Sequence, residues 1–259
     1  MPEPITLFVP CYVDQLRPAA GVAAVELLEA LGHPVRVRPD VVCCGQPFSN
    51  SGSAAEGERL ARLWYERMEG AGTVVVLSSS CTVQLRHARA AAGPGAAPAG
   101  GGPGAARSHS GDPVAGEGSP GSGPGVLELC EFLDRRHPSR TFGRLRRTVS
   151  LHSSCHGLRD SDADARARSV LARVAELTVL RPGRPDECCG FGGTFSTSFP
   201  ALSVRMGEDR LDDLLAGGAR EVVATDLSCL IHLEGIAAAR REAVVFRHVA
   251  EVLREAVRG

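Results

Sequence analysis

Apolar and polar positions along the chain alternate between two periods. Short apolar, often β-branched runs occur at Ile5–Val9, Pro34–Val37, Thr73–Leu77, Thr148–His152, Leu177–Leu180 and Glu221–Thr225. Their length and continuity predict strands buried on both faces. Between them, apolar residues recur three or four apart. The first such stretch is Ala19–Leu31, where Val22, Val25, Leu27, Leu28 and Leu31 precede Gly32; the others are Ala54–Met68, Cys81–Ala91, Val126–Arg136, Asp164–Ala175, Leu202–Leu215 and Leu227–Ala239. That spacing predicts amphipathic helices. Val244–Val257 reads as a strand running into a helix. Regular strand–helix alternation predicts an α/β fold with mainly parallel sheets.

The pattern occurs twice. Strand–Cys, helix, strand, Cys-Cys-Gly, helix, strand–Cys runs through the first 91 residues and again from 126 to 259, so the fold is expected as two pseudo-duplicated α/β halves, 1–91 and 126–259. Between them residues 92–125 are nearly all Gly, Pro, Ala and Ser. Such a stretch buries too little apolar surface to offset its ordering entropy and is expected to be a disordered linker.

Composition narrows the function classes. Lys+Arg (29) and Asp+Glu (30) nearly cancel, and aromatic residues are 4%. Neither a basic surface for nucleic acid nor base-stacking platforms are expected. No apolar run reaches membrane-span length, and the N-terminus lacks the basic start and long apolar core of a signal peptide. A cytoplasmic location without membrane insertion is the expectation. Nine cysteines are then the outlying feature, because a reducing cytoplasm disfavours structural disulfides and leaves metal binding or redox chemistry.

Eight of the nine fall into two matched arrays. Cys11, Cys43-Cys44-Gly45 and Cys81 have 31 and 36 residues in their gaps; Cys155, Cys188-Cys189-Gly190 and Cys229 have 32 and 39. At this composition Cys-Cys-Gly is expected on the order of 0.03 times per chain, so two matched copies are not accidental. Each cysteine lies at the carboxyl end of a strand or in the loop after it, where open α/β sheets place their ligands. Thiolates are soft ligands for iron–sulfur clusters, zinc or copper(I). Four per array suit one or two [4Fe–4S] clusters, with a tetrahedral zinc site as the alternative. The glycine after each cysteine pair allows a tight turn, and backbone N–H groups of Gly190-Phe191-Gly192-Gly193 are placed to donate to sulfur. Cys130 fits neither array and reads as a core residue.

At these residues the sequence resembles the CCG cysteine-rich domain superfamily and, within it, the LutA/YkgE family of lactate utilisation proteins. The resemblance is carried by Leu7–Asp14, Cys43-Cys44-Gly45-Gln46-Pro47 with Asn50-Ser51-Gly52, Ser79-Ser80-Cys81-Thr82, His152–Arg159, Cys188–Ser196 and Asp226–Leu230. It implies an iron–sulfur electron-transfer subunit of a multi-protein oxidoreductase that takes L-lactate to pyruvate. A ferredoxin-like iron–sulfur subunit and a third lactate-utilisation subunit would be the partners, and a small 2-hydroxy acid the substrate. Relatives in the superfamily include the cysteine-rich subunit of heterodisulfide reductase and iron–sulfur subunits of glycolate and glycerol-3-phosphate oxidising complexes. The fuller pattern ends each array in Cys-x-x-Cys, whereas this chain has Gln84 and His232 at the last position. That departure argues against a non-cubane cluster and heterodisulfide cleavage.

Other residues near the arrays carry weaker signals. His152, His156 and above all His232, which holds the place of the missing cysteine, are candidate nitrogen ligands. Asp14 and Arg159 are candidates for shaping the field or binding a substrate carboxylate, with a surface ion pair as the alternative. The Gly190–Gly193 run lacks dinucleotide-binding spacing. Nothing spaced like a thioredoxin Cys-x-x-Cys supports a thiol–disulfide enzyme. A non-catalytic zinc scaffold remains the competing function.

Overall fold

A computed structural model describes residues 4–41, 43–91 and 124–259. The first half opens with β1 (Ile5–Phe8), α1 (Cys11–Leu16), α2 (Pro18–Ala30), β2 (Val35–Val37), α3 (Gln46–Asn50) and α4 (Ala54–Arg67), and continues with β3 (Thr73–Val76) and α5 (Ser79–Ala91). After the insertion come β4 (Gly125–Glu128) and α6 (Leu129–Arg136). The second half repeats this order: β5 (Arg144–His152), α7 (Cys155–Arg159), α8 (Ala163–Leu171), β6 (Ala175–Leu180), α9 (Thr194–Ser198), α10 (Pro200–Leu215), β7 (Glu221–Ala224), α11 (Leu227–Ala239), β8 (Val245–His248) and α12 (Val249–Arg258).

The strands form two four-stranded sheets, ordered β2-β1-β3-β4 and β6-β5-β7-β8, with every pairing parallel. The α/β expectation therefore holds, as does the duplication. Parallel pairing requires crossover helices on the sheet faces, which is why the central strands Thr73–Val76 and Glu221–Ala224 are apolar along almost their whole length.

The segment 126–136 departs from the expected layout. It was expected as a helix opening the second half; its first residues instead form β4, paired with β3 from Thr73↔Gly125 to Val76↔Glu128, and α6 follows directly. The boundary between the sheets falls between Arg136 and Arg144. The change from strand to helix happens at Glu128, whose carboxyl oxygen caps α6 by accepting from the backbone N–H of Cys130 (2.6 Å) and Glu131 (3.3 Å). An apolar strand running straight into an apolar helix face, with no glycine or proline between, has helical spacing throughout. The equivalent junction in the second half, β8 to α12, is capped by His248, whose Nδ1 accepts from Ala250 N–H at 3.1 Å. Most of the expected linker, 92–123, lies outside the described residues. Its flanks meet: Arg89 Nη1 donates to the Pro124 carbonyl at 2.9 Å.

The halves pack through helices related by the same repeat, α2 against α12 and α6 against α8. Leu27 and Leu28 of α2, Phe132 and Leu133 of α6, Val170 and Leu171 of α8 and Leu253 of α12 share one buried cluster. Each such side chain contributes about 1.5–3 kcal/mol. Cys130, fully buried, belongs to this cluster, as its core reading requires. Two further clusters lie on the outer faces of the sheets, one under α4 and α5 and one under α10 and α11.

Beyond the strand ends, a polar hub joins the halves. The buried Asp226 carboxylate accepts from Ser78 Oγ (2.5 Å), Ser79 Oγ, Ser80 N–H (3.2 Å) and Ser154 Oγ (2.6 Å). A buried charge is tolerated only with such a full set of donors. Among the described residues no helix is long and apolar enough to cross a membrane.

Candidate functional site

The eight array cysteines gather four and four. In the first half the thiols form a chain of neighbours, Cys11 to Cys43, Cys43 to Cys44, and Cys44 to Cys81, the last pair with sulfurs 3.1 Å apart. In the second half Cys155, Cys188, Cys189 and Cys229 make the same chain. All are free thiols, and in both arrays the CCG pair and closing cysteine run inward, from half-buried Cys43 and Cys188 to buried Cys44, Cys81, Cys189 and Cys229.

Local structure explains the convergence. Cys11 and Cys155 open α1 and α7 just after the central strands, while Cys81 and Cys229 lie in the first turns of α5 and α11. Those two longer helices bring the positive ends of their dipoles near the thiols, while the first N–H groups of α5 are taken by Asp226 (Ser80, 3.2 Å) and Ser78 Oγ (Cys81, 3.1 Å). The CCG loops swing in from beyond β2 and β6. Gly45 and Gly190 adopt left-handed φ values of +91° and +86°. A Cβ on Gly45 would stand 2.1 Å from the Gly57 carbonyl oxygen, and one on Gly190 2.4 Å from that of Ser203. No other residue fits either place. The same glycines donate N–H to sulfur, Gly45 to Cys43 (3.5 Å) and Gly190 to Cys188 (3.3 Å).

Within each array the thiols shift one another's ionisation. The Cys11 thiol is pushed up by its hydrogen bond with Cys43 and by burial. For Cys43 and Cys44 the bond from the preceding thiol pulls down, but the bond to the next thiol and burial outweigh it, and both stand above the ordinary thiol range. In the second array Cys188 is held well below that range by hydrogen bonds with Cys155 and Cys189, aided by Gly190 N–H and His152, and the same thiol–thiol bonds, with burial, push Cys155 and Cys189 above it. Cys229 falls to about 6 through its bond with Cys189 and, against burial, through His152.

Of the candidate histidines, His152 is the one brought to the sulfurs: an imidazole nitrogen and the Sγ atoms of Cys189 and Cys229 lie within 4.8 Å of one another. His232 turns away. Its Nε2 faces Ser203, 3.3 Å from Oγ, while Ser203 Oγ donates to the Gly190 carbonyl at 2.8 Å. The residue in the place of the missing cysteine thus braces the CCG loop from behind. His156 Nδ1 lies 3.3 Å from Gln46 Nε2, so the first CCG loop touches the residue after the opening cysteine of the second array. Arg159 reaches the Asp186 carbonyl (3.3 Å) and Asp14 accepts from Gln15 (2.6 Å), both at the surface. Gln84 is partly buried on α5. A groove of about 430 Å³ opens beside the second CCG loop, between Phe191, Val204, His232 and Ile236, and its Arg240 is tied to Asp212 and Glu242, each at 2.6 Å.

The residue that sequence reasoning missed is Arg210. It is fully buried on α10, and its Nε donates to His152 Nδ1 at 3.0 Å. Its Nη1 bonds the Arg184 carbonyl (2.6 Å) and Asp213 Oδ2 (3.1 Å). A signal was present: Ser203, Gly207, Arg210, Leu211 and Leu214 form the buried stripe of α10, so Arg210 sits at a core position of the helical pattern.

The donor set fits an iron–sulfur cluster or another thiophilic metal in each array: four sulfurs, N–H groups aimed at them, and a glycine cradle that a side chain would fill. Two parallel α/β halves, each ending in such a thiol cluster, define a duplicated cysteine-rich protein. The chain matches the CCG cysteine-rich domain family over residues 5–86 and 149–234 and belongs to it. It is 31% identical to Lactate utilization protein A of Exiguobacterium sp. over 98% of both chains, and 30% identical to Lactate utilization protein A of Bacillus pumilus over 96% of this chain and 98% of that one. Among solved structures, a hypothetical protein from Helicobacter pylori superposes with a TM-score of 0.66 at 10% identity, over 99% of this chain and 49% of the longer Helicobacter chain. That likeness concerns the fold alone.

Proposed function

We propose that the chain is an electron-transfer subunit of a cytoplasmic, multi-protein lactate-utilising oxidoreductase. Cys11, Cys43, Cys44 and Cys81 would hold one iron–sulfur cluster, and Cys155, Cys188, Cys189 and Cys229 the other. The observation that carries this reading is the convergence of two matched sets of four thiols at the carboxyl ends of parallel sheets. The lactate assignment is supported by the names of the full-length relatives.

Oxidising a 2-hydroxy acid to a 2-oxo acid releases an electron pair with protons, and bound iron–sulfur clusters would supply the electron-accepting chemistry. The chain's own residues hold the thiols, exclude water from their inner members and donate N–H groups to sulfur. The Gln46–His156 contact joins the first CCG loop to the helix that opens the second array, which supports passage of electrons between them. A ferredoxin-like subunit and a third lactate-utilisation subunit would complete the path. Anaerobic purification and reconstitution test the reading. A brown protein containing iron and sulfide, with visible absorbance bleached by dithionite, is expected. A colourless protein that takes up zinc and rejects iron would overturn it in favour of the zinc scaffold.

A further inference from the structure

The two arrays share a backbone but not the groups behind it. Phe8 and His152 are equivalent: each ends its central strand, pairs with the neighbouring strand (Phe8↔Val76, His152↔Ala224) and stands three residues before the opening cysteine. Trp64 and Arg210 are equivalent as well. Gly45 meets the carbonyl of Gly57 and Gly190 that of Ser203; about two helical turns further on stand Trp64 and Arg210. In the first half these positions hold a buried aromatic pair, ring centroids 5.3 Å apart at 74°. In the second half the same two positions hold an imidazole hydrogen-bonded to a buried guanidinium.

That bond decides the chemistry of His152. A guanidinium only donates, so the Nδ1 that receives it is the bare ring nitrogen, and the neutral ring carries its proton on Nε2. Nε2 is buried and makes no hydrogen bond in the structure. An imidazole nitrogen of His152 lies within 4.8 Å of the Cys189 and Cys229 sulfurs, His152 pulls the Cys229 thiol down as a donor would, and the Arg210 charge extends to both sulfurs. Binding a metal through Nε2 would force the proton onto Nδ1, against an arginine N–H. The Arg210 bond therefore sets His152 up to donate toward thiolate and not to bind a metal.

We propose that Arg210 and His152 form a two-link donor relay that stabilises electron density on the thiolates of the second array and sets its centre at a higher reduction potential than the first. Electrons reaching the pair of centres then settle at the second. This rests on the iron–sulfur reading above. Hydrogen bonds to ligand sulfur and nearby positive charge both favour the reduced, more negative state of a thiolate-bound centre. The first array, backed by Phe8 and Trp64, has no charged counterpart there, although the Trp64 indole N–H is also buried without a partner.

The test is an EPR-monitored redox titration of the anaerobically reconstituted full chain, comparing the natural protein with His152→Phe and His152→Gln. Two transitions are expected, the higher one absent when Cys189 and Cys229 are replaced by serine. His152→Phe, which copies the first half, is expected to lower the reduction equilibrium constant of the higher transition at least tenfold, 59 mV for a one-electron couple, and to move the lower one less than about threefold. His152→Gln keeps an N–H and recovers part of the loss. Equal shifts of both transitions, no shift, or a glutamine variant as low as the phenylalanine one overturns the relay. Long-range ¹H–¹⁵N spectra of the metal-free protein give a second reading: a proton on Nε2 of His152 supports the relay, and one on Nδ1 overturns it. Failure to take up iron would sink the cluster assignment itself, while the tautomer still decides the relay's geometry.

Discussion

Behind the first set of thiols, Phe8 packs edge-on against Trp64; behind the second, His152 is held by Arg210. The sheets, the glycine-closed loops and the four sulfurs are common to both halves. The contrast separates two tasks. The thiols are placed by backbone features that a duplication copies intact, while the environment of the sulfurs is written in side chains behind the loop, at positions no cysteine motif marks.

The comparison breaks most completely at the ligands. Cys81→Ser is expected to remove the iron of the first array and leave the second, and Cys229→Ser the reverse, each read by metal analysis and EPR. If either substitution empties both arrays, the sites are not independent. Next come the residues behind the sulfurs. Trp64→Ala should cost about 3–5 kcal/mol through the cavity it leaves, and Arg210→Met a similar amount, about 3–5 kcal/mol, because Asp213 and His152 lose their buried partner. Urea unfolding of the metal-free protein distinguishes the causes: adding Asp213→Asn should recover part of the second loss and none of the first.

A third comparison concerns the helix caps. Burial raises Glu128 to about 8 and lowers His248 to about 4, so each is neutral in the fold. The signs are opposite. The Glu128 contribution is complete below the ordinary carboxyl range and is lost as pH rises through about 8; the His248 contribution is complete above the ordinary imidazole range and is lost as pH falls toward about 4. Glu128→Gln should therefore flatten the fall of Tm as pH rises from the ordinary carboxyl range to about 8, and His248→Asn the fall as pH drops from the ordinary imidazole range toward about 4, each by up to about 3 kcal/mol. An unchanged pH profile in both variants would mean that neither cap stays neutral. The smallest effect is expected at the hub: Asp226→Asn, which keeps an acceptor but loses the charge, should cost about 1.5–3 kcal/mol and touch both halves alike.

Much of this was legible in the sequence, for physical reasons. Eight cysteines in two matched arrays, and strands buried on both faces, leave periodic traces, and the sulfurs converge as their spacing implied. The helices α1, α3, α7 and α9 were not legible, since five or six residues are too few to show a helical period. The β4–α6 junction was hidden because Glu128 makes the turn with its side chain alone. Among the histidines, position in the motif favoured His232, but proximity in space belongs to His152, whose strand carries it under the second loop. Arg210 belongs to no motif; only its place on the apolar stripe of α10 marks it.

The contact between Arg89 and Pro124 means that the chain leaves and re-enters the first half at a single doorway. Closing a longer excursion there costs only about 0.6 kcal/mol for each doubling of its length. The doorway is thus a tolerant graft point, where evolution could add residues, or an experimenter a reporter domain, without asking either sheet to move.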